Sequence, residues 1–210
     1  AMAADAQATL PALTEACKRL LTADRTRVLK ERGAKFAEAS VKALQAAREE
    51  AAYAWDASPI STARVHAELW AQIKDSDWAL VSESGNSSGW AFRLWNFEKH
   101  YQHLGDAGGA GVGYGAPAAV GGALANKKHG RLSVNIQGDG DFMYAPGVMW
   151  TAAHHKIPLL TVMHNNRGYH QEVMHLQRMA GRHNRGITRA HIGTTLNNPD
   201  IDRKEHTSEL

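Results

Sequence analysis

The spacing of hydrophobic and polar positions changes twice along the chain. Across residues 1–56, alanine and charged residues recur at helical spacing with no strand signal. Good helix formers dominate from Arg25 to Tyr53, interrupted only by Gly33. Glu31–Lys35 and Glu38–Lys42 stand four apart in the favourable order. This zone reads as a helical lead-in ending in a long surface or connecting helix. The loop Ala57–Ile60 opens a second zone, 57–210, and Ser61 is placed to cap a helix running through about Lys74.

From Trp78 onward, short apolar runs alternate with helical stretches. Trp78–Val81, Leu132–Ile136 and Pro158–Met163 predict strands, the last of a buried type, and Tyr101–Leu104 predicts a short one. Gly113–Asn126, Phe142–His155 and Tyr169–Arg182 predict helices, with Pro117 tolerable in a first turn. Strands alternating with helices of this length imply parallel crossovers, hence an α/β fold: a doubly wound, mostly parallel sheet with helices on both faces. Beyond Arg182 the chain turns polar, and Asn197–Pro199 predicts the start of one more short helix.

Composition narrows the class. The 210 residues are 43% hydrophobic and 21% charged, which excludes a disordered or fibrous chain. Mean hydropathy is −0.42, and no apolar run approaches the roughly 18 residues that a membrane span needs. Lys and Arg total 24 against 21 acids, mixed along the chain, so no basic stripe points to nucleic acid. One cysteine, Cys17, cannot form an internal disulfide, and the first residues lack a signal-peptide pattern, so a cytoplasmic protein is expected.

In a parallel sheet, ligands bind beyond the carboxyl ends of strands. Asp139 leaves one predicted strand end and Asn166 leaves the next, 27 positions later, so one βαβ unit sets both over the same edge. Carboxylate and amide oxygens are hard ligands suited to Mg²⁺ or Ca²⁺. Gly138 and Gly140 let the backbone approach a ligand closely, and the N–H groups of a helix starting there can hold phosphate. Eight of the 19 glycines fall between Gly105 and Gly122, a second place where backbone geometry dominates. Among the histidines, His154–His155 closes a crossover helix and reads as surface polar. His164, His170 and His175 do not repeat at zinc-ligand spacing.

Gly138-Asp139-Gly140, 24 intervening residues, then Asn165-Asn166 resembles the cofactor motif of thiamine diphosphate-dependent enzymes. The segment from Gly109 through Pro117 to Gly121 is similar to its counterpart in the acetolactate synthase, benzoylformate decarboxylase and pyruvate decarboxylase group, as is Trp150–Pro158. The resemblance spans about Trp78 to Arg182 and implies the diphosphate-binding domain of a 2-oxo acid decarboxylase or carboligase, with thiamine diphosphate and Mg²⁺ as cofactors. It implies that Asp139, the Asn166 side chain and the Gly168 carbonyl ligate the metal, with Asn165 structural. The backbone at Gly138, Gly140 and Asp141 and the turn Ser84-Gly85-Asn86 would hold the diphosphate. Val112 would prop the cofactor, and the Ala110 carbonyl would accept from its pyrimidine amino group. Glu172 stands where relatives point a side chain at the reactive carbon, a catalytic role set against that of a solvated helix glutamate.

The family implies more than these residues supply. Relatives carry a pyrimidine-binding domain whose glutamate activates the cofactor, and nothing in this sequence resembles it. Residues 1–56 resemble the end of a middle domain plus its exit helix, and the C-terminal side looks truncated. A homo-oligomer, dimer or tetramer, or a partner carrying the pyrimidine domain is expected to complete the site, and the isolated chain is expected to be inactive. Two other readings stay open. Gly111-Val-Gly-Tyr-Gly-Ala116 fits a nicotinamide-binding Rossmann turn but lacks the acidic residue about 20 positions on. A non-catalytic scaffold subunit would keep the fold alone.

Overall fold

The computed structural model describes residues 3–83, 89–105, 109 and 111–186. The chain divides after Tyr53 into two units.

The first unit is two helices, α1 (Ala6–Arg19) and α2 (Ala23–Ala52). Each starts at a side-chain cap. Asp5 accepts from the Ala8 N–H at 2.8 Å, and Thr22 accepts from the Arg25 N–H at 3.2 Å. Of the two predicted pairs along α2, Lys42 meets Glu38 at 2.6 Å, whereas Glu31 pairs backward with Arg27 at 2.8 Å rather than with Lys35. Leu10, Leu13, Phe36 and Val41 are all exposed.

The second unit is the α/β domain. Helix α3 (Thr62–Ile73) begins where the sequence places it, with Ser61 Oγ accepting from the Arg64 N–H at 3.2 Å. Among the described residues three strands, β1 (Trp78–Glu83), β2 (Leu132–Gly138) and β3 (Leu160–His164), pair in parallel in the order β1-β2-β3. The strand predicted at Tyr101–Leu104 is reduced to a bridge on the outer edge of β1. There the Leu80 N–H donates to the Gln102 carbonyl at 2.8 Å, and His103 pairs with Leu80. The chain thus leaves β1 toward one side and returns across it to β2 on the other, the reversal that defines a doubly wound sheet.

The crossovers place helices on both faces. One face carries α3 and α4 (Trp90–Leu94) over Trp78 and Leu80 of β1. Trp78 sits edge-on to Trp70, Trp95 and Phe97 at centroid distances of 5.5, 5.5 and 5.2 Å. The other face carries α5 (Gly115–Lys127) and α7 (Val148–His154). Ala119 packs there on Ala79 and Val81, while Val120 and Ala123 pack on Ala152 and Ile157. Small residues let α5 lie close to the sheet. A Cβ added at Gly122 would stand 2.8 Å from Leu104 Cδ1 and 3.0 Å from Val81 Cβ.

Two elements differ from expectation. The helix predicted over Phe142–His155 is split into α6 (Asp139–Phe142) and α7. Pro146 has no N–H to return to the Phe142 carbonyl, so the Ala145 N–H closes a turn there instead, at 3.1 Å. β3 is half-buried rather than buried, because it is an edge strand among the described residues. Finally, β1 slips register between Leu80 and Ser82, leaving Val81 as a bulge, so Glu83 pairs with Ile136.

Candidate functional site

The register of β2 and β3 builds the site. Gly138 pairs with His164, so the turns that follow both strands leave the same sheet edge side by side. Asp139 is the first residue of one turn and Asn166 lies in the other. The Asp139 side chain is buried, 3% exposed, and no described residue donates to its carboxylate. A charge so removed from water needs a cation or donors to offset its desolvation. Asn166 folds its own turn, with Oδ1 accepting from the Gly168 N–H at 3.0 Å around Arg167 in the left-handed region at φ +58°. The second lone pair of that oxygen remains for a ligand. Among the described residues, no group of three or more His, Cys, Asp or Glu could hold a metal. A metal here would therefore rest on Asp139 with amide and carbonyl oxygens, a hard donor set.

Two side chains tie the loops together, and the sequence reading missed both roles. Tyr169, the residue before α8 (His170–Arg182), donates its hydroxyl to the Gly140 carbonyl at 3.1 Å. Its ring lies where a Cβ on Gly140 would come within 2.6 Å, so tyrosine packing itself requires that glycine. Burial, and then the Tyr144, Asp139, Glu172 and Asp141 charges, push the Tyr169 phenol up from its ordinary value. It therefore stays protonated and donating at neutral pH.

Asp141 is the second tie. Its Oδ1 accepts from the Gly113 N–H and its Oδ2 from Gln137 Nε2. Gln137 is fully buried in β2. Gly113 adopts φ +93° against the Tyr144 side chain, a conformation and a contact that exclude any other residue. The sequence signal for these contacts was only the cluster of glycines facing an acidic turn. No spacing rule links residues 28 apart.

The remaining candidates separate. Val112 is half-exposed, and Glu172 is exposed in the first turn of α8. Ser84, Gly85, Asn86 and Ala110 lie outside the described residues. Phosphate binding by a helix after Gly138 has little helix to draw on, since α6 is only four residues long. The turn's backbone must serve instead. A buried polar pair also went unread: His66 Nε2 on α3 meets Glu83 at 3.2 Å, both almost fully buried, and His66 Nδ1 faces the Thr62 carbonyl at 2.8 Å.

A doubly wound parallel sheet with buried oxygen donors gathered beyond its carboxyl edge is the class this geometry defines. The chain belongs to the family described as thiamine pyrophosphate enzyme, C-terminal TPP binding domain, which matches residues 83–203. It is 30% identical over 100 residues to acetolactate synthase 2, chloroplastic, of Brassica napus, covering 48% of this chain and 15% of that protein. It is 37% identical over 71 residues to a putative acetolactate synthase large subunit of Mycobacterium tuberculosis, covering 34% of this chain and 13% of that protein. The benzoylformate decarboxylase structure from Polynucleobacter necessarius shares the fold, with TM-score 0.57 and 24% identity over 70% of this chain and 26% of its own. The 4-hydroxybenzoylformate decarboxylase of Rhodococcus jostii superposes with TM-score 0.54 and 28% identity over 67% of this chain and 25% of its own. The chain thus spans about a seventh of the length of the curated relatives it matches.

Proposed function

We propose that this domain holds the metal and diphosphate of thiamine diphosphate in an enzyme that decarboxylates or ligates 2-oxo acids. The observation that carries the reading is the buried Asp139 carboxylate, with no donor among the described residues, at the strand end beside the Asn166 turn. Family membership supports the cofactor, and the oxygen donor set supports Mg²⁺. Asp139, Asn166 Oδ1 and the Gly168 carbonyl would hold the ion. The turn at Gly138–Asp141, together with Ser84–Asn86, would hold the diphosphate. When bound, thiamine diphosphate supplies the carbon nucleophile and electron sink for attack on a 2-oxo group.

The chain's own residues bind and orient. Tyr169 and Asp141 fix the turns before any ligand arrives, and Val112 and Ala110 would set the cofactor's bend and pyrimidine end. Glu172 would carry a proton to or from the reacting carbon. It is exposed in the described chain, so that role needs a second surface to cover it. A pyrimidine-binding domain, from another copy or a partner subunit, is proposed to supply that surface and the activating glutamate. A reducing compartment such as the cytoplasm suits the exposed thiol of Cys17. Among the described residues, no helix is long and apolar enough to cross a membrane.

Calorimetric titration of thiamine diphosphate into the complete protein tests the reading. Affinity should depend on Mg²⁺, and Asp139→Ala should abolish the metal-dependent part, because the diphosphate then loses its counter-ion. Equal affinity in EDTA and in Mg²⁺ would refute the metal assignment.

A further inference from the structure

We propose that Gln137 and Asp141 form a latch that pins the glycine-rich turn at Gly113 to the Gly138–Asp141 turn, making the Asp141 side chain a positioning group rather than a ligand of cofactor or metal. Its consequence for the cofactor rests on the function proposed above, but the latch itself is a property of this chain.

Three observations converge on it. First, each Asp141 carboxylate oxygen already accepts an N–H, one from Gly113 and one from Gln137. A carboxylate left bare beside a diphosphate would repel it, and two donors reduce that repulsion. Second, Gln137 is fully buried while its Oε1 has no partner. An orphaned buried acceptor is unfavourable, so the position is explained by what the amide donates: the bond to Asp141. Third, α5 has no side-chain cap of its own, since Tyr114 stands at its N-cap without a capping bond. Asp141 supplies a carboxylate near that end of the helix from 28 residues away, where negative charge is favoured. The latch therefore sets the distance between the segment expected to bend the cofactor and the turn expected to hold its diphosphate.

The polarity of the pair can be inverted, which gives a specific test. Gln137→Glu sets two carboxylates face to face and should break the latch. Adding Asp141→Asn should restore it: the introduced amide donates to the introduced carboxylate, while its own oxygen still accepts from Gly113. Amide hydrogen exchange resolved at Gly113 in the full chain reads the latch without any cofactor. Gln137→Glu should accelerate that exchange about tenfold, the loss expected for one hydrogen bond, and the double variant should return it to the wild-type rate. In the complete protein, affinity for thiamine diphosphate with Mg²⁺ should follow the same order, falling in the single variant and recovering in the double.

Unchanged Gly113 exchange in Gln137→Glu overturns the latch, as does a double variant that remains as fast as the single. Should Gln137→Glu fail to fold by circular dichroism, Asp141→Ala at its half-buried site carries the same exchange measurement, with the same expected acceleration. If wild-type protein binds no thiamine diphosphate while the exchange pattern holds, the latch stands and the cofactor reading falls. If thiamine diphosphate binds equally to all three proteins, the positioning role is overturned.

Discussion

The two faces of the sheet are built on opposite principles. Beneath α3 and α4 lies a layer of large rings, Trp70, Trp78, Trp95 and Phe97, packed edge to face or stacked. Beneath α5 the strands present Ala79, Val81, Ser133, Asn135 and Gln137, and the helix answers with alanine and glycine. The ring face stabilises by area, since each buried tryptophan removes a large apolar surface from water. The small face buries little per residue and depends on close approach and on hydrogen bonds such as Asn126 Nδ2 to Ser133 Oγ at 3.1 Å. The polar stripe on β2 ends at Gln137 and hands over to Asp141. The face that contributes less apolar area is the one wired to the site.

Substitutions can break this contrast. Trp78→Ala should be the largest loss, about 3–5 kcal/mol, because it opens a cavity among three aromatic partners. Chemical denaturation measures it, and a loss under about 1 kcal/mol would mean the ring layer collapses to fill the gap. The small face gives a sharper test at two adjacent glycines of α5. Gly122→Ala gains helix propensity of about 1 kcal/mol, but it drives a methyl onto Val81 at a strand that cannot yield, at a typical penalty of 1–3 kcal/mol. It should destabilise on balance. Gly121→Ala meets nothing within 4 Å and should stabilise by up to about 1 kcal/mol. Equal shifts in melting temperature for the two variants would dissolve the close-packing argument.

The smallest effect belongs to neither face but to the rim at the amino ends of the strands. There the Tyr101 hydroxyl donates to Asp77 at 2.7 Å, and Arg131 lies 3.3 Å from the same carboxylate. The Tyr101 hydrogen bond, ahead of the Arg131 charge, holds the Asp77 carboxyl below its ordinary value. A depressed folded value means that the stabilisation is present above the unfolded carboxylate value of about 3.9 and fades as pH falls through the folded one. The native protein should therefore lose stability more steeply below about pH 4 than Asp77→Asn does, in acid titrations of unfolding. Parallel slopes would remove the rim from the account.

Much of the site was legible because its chemistry is local. Gly138-Asp139-Gly140 and Asn165-Asn166 each sit at a strand end, and parallel crossover geometry brings strand ends together without further information. What could not be read was tertiary in kind. Nothing near Asp141 in sequence shows that its carboxylate reaches Gly113, and nothing near Gly140 shows that Tyr169 fills the space its missing side chain leaves. Gly140 was read as room for a ligand, and a ring occupies it. The break at Pro146-Gly147 was legible in principle, since proline inside a helix pattern is a stop signal. Tyr101–Leu104 had a strand's composition but only one neighbour among the described residues, and a segment on an outer edge pairs only as far as its connections allow.

The slip at Val81 keeps both ends of β1 in step with β2. Without the slip, strict alternation through the same six residues would turn Glu83 to the same side as Ala79 and Val81. With it, Glu83 falls in step with Ile136 and reaches His66. The strand thus leaves in the phase in which it entered, with one residue more than its partner. Losing the single codon for Val81 would straighten the strand and leave Trp78, Leu80 and Glu83 on the side they already share. A lineage could in this way gain or lose that residue while inheriting both the scaffold and the direction of the strand's last carboxylate.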